Sequence, residues 1–303
     1  MEQLNTPVLF LIFNRPETTK QVFEAIRKAK PRQLFVAADG PRENKPNENK
    51  LCEEARKIAT AVDWDCKVTT LFRDANMGCG PGVSGAISWF FQQVEQGIIL
   101  EDDCLPAPSF FPFSEQLLQR FEKNEEIQMI SGANLLEGWQ DCEESYFFSR
   151  KGGMWGWSTW RRAWSKYDYF SEQLKKDRVR ELFFQNIGNP GERKVYWNAL
   201  KKLLDDPATF TTWDYQWVFT RIFYNQVTIV PKENMIRNLG FGSDATHTLD
   251  PGARLAKLKV SETVFPLVHP DGRMVEQKYD DIHSETFYPD KKSSFLKNIF
   301  SNK

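Results

Sequence analysis

Apolar positions in the first half of the chain fall in short unbroken runs separated by amphipathic stretches. Val8–Phe13 is a run long enough for a strand buried on both faces. Glu17–Lys28, entered through Asn14-Arg15-Pro16, spaces its apolar residues for a helix. The same reading predicts strands at Gln33–Ala38, Lys67–Phe72, Ile98–Leu100 and Gln128–Ser131. Helices are predicted at Lys50–Ala61, Val83–Val94 and Ser109–Lys123. Asp39-Gly40-Pro41 stops the second strand with a strong turn signal. Strand–helix alternation of this kind predicts an α/β fold, with a mostly parallel sheet covered on both faces.

After about Ser149 the texture changes. Gly152-Gly153-Met154-Trp155-Gly156-Trp157 reads as a loop. Helices are then expected at Ser158–Tyr167, Arg178–Gln185, Lys194–Leu204 and Tyr215–Tyr224, with a strand at Val227–Val230 and a glycine-rich loop around Gly240 and Gly242. This half is expected to form a second, smaller and mainly helical lobe closing over the first. Lys291 to Lys303 is basic with scattered Phe, Leu and Ile, and is either a frayed tail or a weak membrane-surface helix.

Composition narrows the function. The 303 residues carry 40 basic and 41 acidic side chains, so there is no excess positive field of the kind nucleic-acid binding uses. Five cysteines (Cys52, Cys66, Cys79, Cys104, Cys142) are odd in number and never spaced C-x-x-C, which predicts reduced thiols in a cytoplasmic protein. No basic start followed by an apolar run opens the sequence, and no stretch has the apolar length of a membrane span. Ten tryptophans and 24 phenylalanines are many for this length; some belong to the core, and aromatic faces also stack on sugars and bases. His247, His269 and His283 form no H-E-x-x-H pattern and no nucleophile constellation.

Glu101-Asp102-Asp103 follows Ile98-Ile99-Leu100 without a spacer. In a parallel sheet ligands gather beyond the carboxyl ends of the strands, where Asp39 also falls. Three adjacent carboxylates repel one another, and a hard divalent cation, Mg²⁺ or Mn²⁺, relieves the repulsion while leaving positions for diphosphate oxygens. The competing reading is a solvated acidic turn. Gly80-Pro81-Gly82-Val83-Ser84-Gly85 satisfies the G-x-G-x-x-G outline of dinucleotide binding and so supports an NAD(P)-dependent oxidoreductase as an alternative. Against it, Arg73-Asp74-Ala75-Asn76-Met77 separates the preceding strand from the glycines.

The acidic triplet followed by Ala107-Pro108-Ser109-Phe110-Phe111 resembles the metal-binding region of GT-A glycosyltransferases, in the form found in the Golgi N-acetylglucosaminyltransferase that initiates complex N-glycans. Further similarities occur in the same order: Asn14-Arg15-Pro16, Asp39-Gly40, Gly153-Met154-Trp155-Gly156-Trp157, Trp213-Asp214, Val230-Pro231, and Gly240-Phe241-Gly242 with His247. The resemblance spans about residues 7 to 250 and extends to bacterial nucleotide-diphospho-sugar transferases. It implies a GT-A (Rossmann-like) fold as one integrated domain. Residues 1–150 would form the nucleotide-sugar-binding half, 151–250 the acceptor-binding half with a closing loop, and 251–303 a C-terminal extension.

The resemblance also implies roles. Asp103 would bind Mn²⁺ or Mg²⁺, Asp102 the ribose and Glu101 the transferred sugar. Arg15 and Asp39 would grip the base and phosphate side of a UDP-sugar, and Ser243, Thr246 and His247 would close over the diphosphate. Asp214 is the candidate general base of an inverting displacement onto a glycan or lipid-linked glycan hydroxyl, with N-acetylglucosamine the candidate sugar. Here the chain departs from the family's W-D-D-W: Trp213-Asp214-Tyr215-Gln216-Trp217 has one acid, so a helix-cap role for Asp214 stays open, with Asp205 and Asp206 as weaker substitutes. The loop carrying Trp155 and Trp157 is the candidate acceptor or sugar platform, whereas Trp160 and Trp164 are expected in the core. Catalytic loss, leaving a sugar-nucleotide-binding protein, is the remaining alternative. Any membrane contact would run through the basic tail, at the inner face.

Overall fold

The computed structural model describes residues 3–136, 139, 143–207, 210–241, 254–272 and 274–289, apart from the side chain of residue 182. Its centre is an eight-stranded sheet built from β1 (Val8–Ile12), β2 (Gln33–Ala38), β3 (Lys67–Phe72), β4 (Gln96–Glu101), β6 (Ile127–Ser131), β7 (Tyr146–Ser149), β8 (Trp157–Trp160) and β9 (Val227–Pro231). The spatial order is β3-β2-β1-β4-β8-β6-β9-β7. Only β8 and β7 oppose the common direction. Two short strands, β5 (Cys104–Pro106) and β10 (Ile236–Asn238), form a separate antiparallel pair.

Residues alternate between two cores because successive side chains of a strand point to opposite faces. Val8, Phe10 and Ile12 of β1 join one apolar cluster, and Leu9 and Leu11 join the other. The first cluster is covered by α1 (Pro16–Ala29), α2 (Glu48–Ala59) and α4 (Phe110–Arg120). The second is covered by α3 (Cys79–Phe91), the short α5 (Arg161–Trp164) and the start of α8 (Asp214–Phe223). The change of face follows from the strand order. The chain winds outward from β1 through β2 to β3, then reverses to β4 on the other side of β1, and crossovers of constant hand then place the helices on opposite faces. Helix α1 has Pro16 in its first turn and buries Thr19, Val22, Phe23 and Ile26 on one stripe. It ends at Lys30, which is left-handed (φ 50°) and returns its N–H to Ile26.

Helices α6 (Asp177–Gln185), α7 (Pro190–Asp205) and α8 share a further apolar cluster of Phe183, Tyr196, Leu200 and Phe219. Beyond residue 254 the chain runs back over the sheet's far side: Glu262 accepts the N–H of Ser109 at 2.8 Å, and α9 (Gln277–Phe287) packs Tyr279 against Phe147 and Trp139.

One expected element is different. Residues 158–160 belong to strand β8, and only Arg161–Trp164 of the expected Ser158–Tyr167 helix is helical. Trp157 and Trp160 lie in opposite apolar clusters, as a strand places residues an odd number apart. The tail from residue 290 and most of the expected closing loop, including Ser243, Thr246 and His247, lie outside the described residues. Among the described residues no helix is long and apolar enough to cross a membrane.

Candidate active site

The chain reverses its winding between β1 and β4, and the segments leaving their carboxyl ends meet there. Phe13 leaves β1 and donates its N–H to Asp102 Oδ2 at 3.0 Å. Arg15, two residues later, sends Nη1 to Asp103 Oδ2 at 2.8 Å and to Asp102 Oδ1 at 3.3 Å. Asn14 between them donates to Glu48 at 2.9 Å, a buried carboxylate that also pairs with Arg42, so the turn is pinned to α2. Asp102 is 6% exposed, whereas Glu101 and Asp103 stay half-buried.

The charge here is unbalanced, with three carboxylates facing one guanidinium. Burial, and then repulsion from Asp103, Asp102 and Asp214, pushes the Glu101 carboxyl well up; burial and Asp103 do the same to Asp102 against the pull of Arg15. Burial opposes the charge on Arg15, yet Asp102, Asp103 and Glu101 raise its pKa.

The β5–β10 pair brings the chain after Asn238 onto the acids. Leu239 donates its N–H to the carbonyl of Asp103 at 2.7 Å, and a Cβ on Gly240 would stand 2.5 Å from Asp103 Oδ2. Only glycine lets the backbone lie so close to that carboxylate. Phe241 then meets Trp155 edge-on at 5.6 Å. Trp155 is half-buried beside the site. Trp157 is fully buried, stacked on Trp213 at 5.8 Å and packed on Trp217 and Trp164. It has no free face, and this corrects its expected place in a ligand platform. Trp160 and Trp164 lie in the core as expected.

Asp214 approaches from the other half of the chain. It is the first residue of α8, behind Trp213, and that helix has no side-chain cap bond. Its Oδ1 is buried without a hydrogen-bond partner among the described residues. Asp214 acts electrostatically on Glu101 and on Cys79, whose thiol is pushed up to about 12 by burial and then by Glu101, Asp214 and Asp103. Asp205 and Asp206 are exposed at the end of α7.

Asp39 stands at the end of β2 with both oxygens engaged. It accepts the N–H of Gly40 at 3.1 Å, of Met77 at 2.9 Å and of Gly78 at 3.0 Å, so it fixes the loop that enters α3. Arg73 lies 3.9 Å from it and donates to the carbonyl of Gly82 at 2.8 Å. The glycines of the G-x-G-x-x-G stretch sit inside α3, where a Cβ at Gly80 would strike Tyr169 Oη at 2.4 Å, at Gly82 would press on Asp39, and at Gly85 on Arg73. Packing accounts for these glycines, and the dinucleotide reading loses its main support.

No family model and no curated protein matches the chain. Among solved structures it is similar to the inositol-1-phosphate CTP transferase from T. maritima, at 10% identity, covering 86% of this chain and 100% of that one with a TM-score of 0.42. A UDP-glucose pyrophosphorylase complexed with UDP-glucose is similar at 9% identity, over 75% of this chain and 90% of that one, with a TM-score of 0.39. HddC from Yersinia pseudotuberculosis follows at 8% identity, 52% and 77% coverage and a TM-score of 0.30. The α/β fold rests on the chain's own strand order, not on these distant likenesses.

Does a hard cation fit these residues? Among the described residues no group of three or more His, Cys, Asp and Glu side chains converges as a ready metal cage. The uncompensated carboxylates nonetheless form an all-oxygen set suited to a cation that takes one or two protein ligands and completes its shell from water and phosphate. On donor chemistry the set fits; in this geometry Arg15 already engages Asp103. Arg73 and Cys79 were not singled out from the sequence. Arg73 had a usable signal, since it directly follows β3 as Asp39 follows β2. Cys79 had none.

Proposed function

We propose that the chain is a transferase that moves a sugar from a nucleotide diphosphate, with uridine the favoured base, onto an acceptor hydroxyl with inversion. The observation carrying this reading is the gathering of Glu101, Asp102 and Asp103 around one guanidinium, with Asp214 acting on Glu101, at the point where the sheet reverses its winding. Three acids sharing one cation make poor structural glue, because each buried carboxylate costs free energy unless something positive joins it.

Asp103 would hold Mn²⁺ or Mg²⁺, which when bound would neutralise charge developing on the departing diphosphate. Asp102, fixed by the Phe13 N–H, presents a rigid acceptor to the donor's ribose. Arg15 screens the acids and can turn towards the donor's phosphate side once Asp103 is otherwise engaged. Asp214, whose Oδ1 has no hydrogen-bond partner among the described residues, takes the proton from the acceptor hydroxyl, and a single displacement with one base inverts the anomeric centre. Gly240 and Phe241 begin the segment that would exclude water over the donor, with Trp155 beneath it. A glycan or lipid-linked glycan is the acceptor class the sequence resemblance favours.

Donor binding without turnover is a second reading, favoured by the ion pair that Arg15 makes with the intended metal ligand. Both readings are tested by incubating the purified protein with a panel of sugar nucleotides, with and without Mn²⁺, and following melting temperature and nucleoside diphosphate release. Metal-dependent stabilisation by UDP or a UDP-sugar, with slow release of UDP, supports transfer. Stabilisation without release in the presence of any acceptor supports the second reading. Indifference to every sugar nucleotide at millimolar concentration removes both.

A further inference from the structure

A groove with a volume of about 570 Å³ runs between α6 and α7, lined by Arg180, Glu181, Phe184, Gln185, Arg193 and Trp197. Helical spacing builds both walls. Arg180 with Phe184, and Glu181 with Gln185, are four apart on α6, and Arg193 with Trp197 is the matching pair on α7. The neighbouring stripe of α7, Tyr196 and Leu200, turns inward, where Tyr196 meets Phe219 of α8. Arg193 and Trp197 are left on the outer side, both exposed.

The floor of the groove is aromatic and its rim is polar. Trp197 is 40% exposed and meets Phe184 edge-on at 5.2 Å, while the Arg180 guanidinium stands over the indole at 5.6 Å. Arg180 also pairs with Asp177. Arg193 gives Nε and Nη2 to the carbonyl of Ile187 at 3.2 and 2.7 Å, which fixes its plane and leaves Nη1 without a partner among the described residues. The exposed Glu181 carboxylate and Gln185 amide likewise make no side-chain hydrogen bond among the described residues. Three planar polar groups therefore border an exposed ring, and together they supply donors and acceptors.

This chemistry narrows the ligand. One carboxylate offsets two guanidiniums, one of them already paired, so the lining sets no strong demand for an anion. Two aromatic side chains are too few to seat an apolar helix. A sugar ring has an apolar C–H face and a rim of hydroxyls that both donate and accept, and the groove complements both. We infer that the α6–α7 groove is a saccharide-binding site, with a sugar face against the exposed part of Trp197 and hydroxyls on Glu181, Gln185 and Arg193. Its volume suits about one or two rings of a glycan chain. The inference goes beyond the transfer reading, because no residue of the groove belongs to the acidic site and binding needs neither donor nor metal.

The test titrates the full chain, without nucleotide or metal, with chitotriose, cellotriose, maltotriose and inorganic phosphate, following the indole N–H resonances by nuclear magnetic resonance. The resonance missing from Trp197→Ala identifies Trp197 in the wild type. At least one trisaccharide should shift that resonance with a Kd of about 1 mM or tighter, and phosphate should not shift it. Trp197→Ala should melt close to the wild-type temperature and bind the same trisaccharide about tenfold more weakly, read by saturation transfer to the sugar. Asp103→Asn should bind it as the wild type does. The inference is overturned if no trisaccharide moves the Trp197 resonance, if Trp197→Ala binds as tightly as wild type, or if Asp103→Asn loses the binding. Sedimentation showing a dimer that Trp197→Ala dissociates would overturn it as well, since a second copy would then cover the groove. Failure to bind UDP or to release it would sink the reading of the acids and leave this result standing.

Discussion

Arg15 and Asp103, 88 residues apart, join at 2.8 Å across the carboxyl ends of β1 and β4. The guanidinium therefore stands where a cation bound to Asp103 would also draw on that carboxylate. Arg15→Gln should cost about 2 kcal/mol of folding stability, because the buried Asp102 and half-buried Asp103 lose their counter-charge. It should also tighten Mn²⁺ binding severalfold, and saturating Mn²⁺ should restore most of the lost stability. Calorimetric titration of Mn²⁺ and urea unfolding read the two effects. Weaker Mn²⁺ binding in the variant would mean that Arg15 assists the metal instead of competing with it.

Gly240 gives an independent probe of the same carboxylate. A methyl group there would meet Asp103 Oδ2 at 2.5 Å, and the obstacle is a short side chain with little freedom to retreat. Gly240→Ala should displace Asp103 or the segment after Asn238. We expect Mn²⁺ affinity to drop by about tenfold with a stability loss of about 1–2 kcal/mol. Unchanged Mn²⁺ affinity would place the metal away from Asp103.

Asp214→Asn preserves shape and removes the base. Turnover should fall by about 10²–10⁴-fold, with UDP and Mn²⁺ affinity within about threefold of wild type. Single-turnover kinetics beside a binding titration separate the two quantities. Unimpaired turnover would assign the proton to another group.

Three of the sheet's first four strands were legible from unbroken apolar runs and β3 from its β-branched Val68-Thr69-Thr70; Gln33–Ala38 and Lys67–Phe72 have the observed boundaries. The acids were legible for a related reason, since a charged triplet directly after such a run can only sit at a strand end. β8 was not. Its Trp157 and Trp160, followed by Trp164, repeat at three and four residues and imitate a helix, and nothing local tells that two apolar clusters on opposite faces will claim them. The three-residue strands β5 and β10 are too short to carry any period. The pinning of Asp39 by the backbone of Met77 and Gly78 depends on a loop whose path only the folded sheet determines.

Trp155 and Trp157 separate a site role from a core role. Trp157→Ala should destabilise the fold by about 3–5 kcal/mol, since it empties a packed space against Trp213 and Trp217. Trp155→Ala, from a half-buried position touching Phe241, should cost less stability and weaken donor or acceptor binding instead. Chemical unfolding together with a donor titration on both variants distinguishes them. Equal donor affinity in Trp155→Ala would remove that residue from the platform as well.

His283 on α9 makes the fold's stability pH-dependent. Burial, and then the charges of Lys151 and Arg221, lowers its pKa from 6.5 to about 3, and its Nδ1 is buried without a hydrogen-bond partner among the described residues. The folded protein therefore holds the ring neutral, while the unfolded chain protonates it below about pH 6.5. Because the unfolded state binds the extra proton, the contribution is fully present above pH 6.5 and is lost as pH falls towards 3, at about 1.4 kcal/mol per unit. Between pH 7.5 and 5.0 the loss from this group alone should be about 2 kcal/mol. His283→Phe keeps a ring among Tyr279, Phe287 and Tyr288 and removes the proton. Urea unfolding of both proteins at the two pH values should show the variant losing about 2 kcal/mol less than wild type on acidification. Equal losses would mean that His283 is protonated in the folded state, and that the helix tolerates a buried charge beside Lys151 and Arg221.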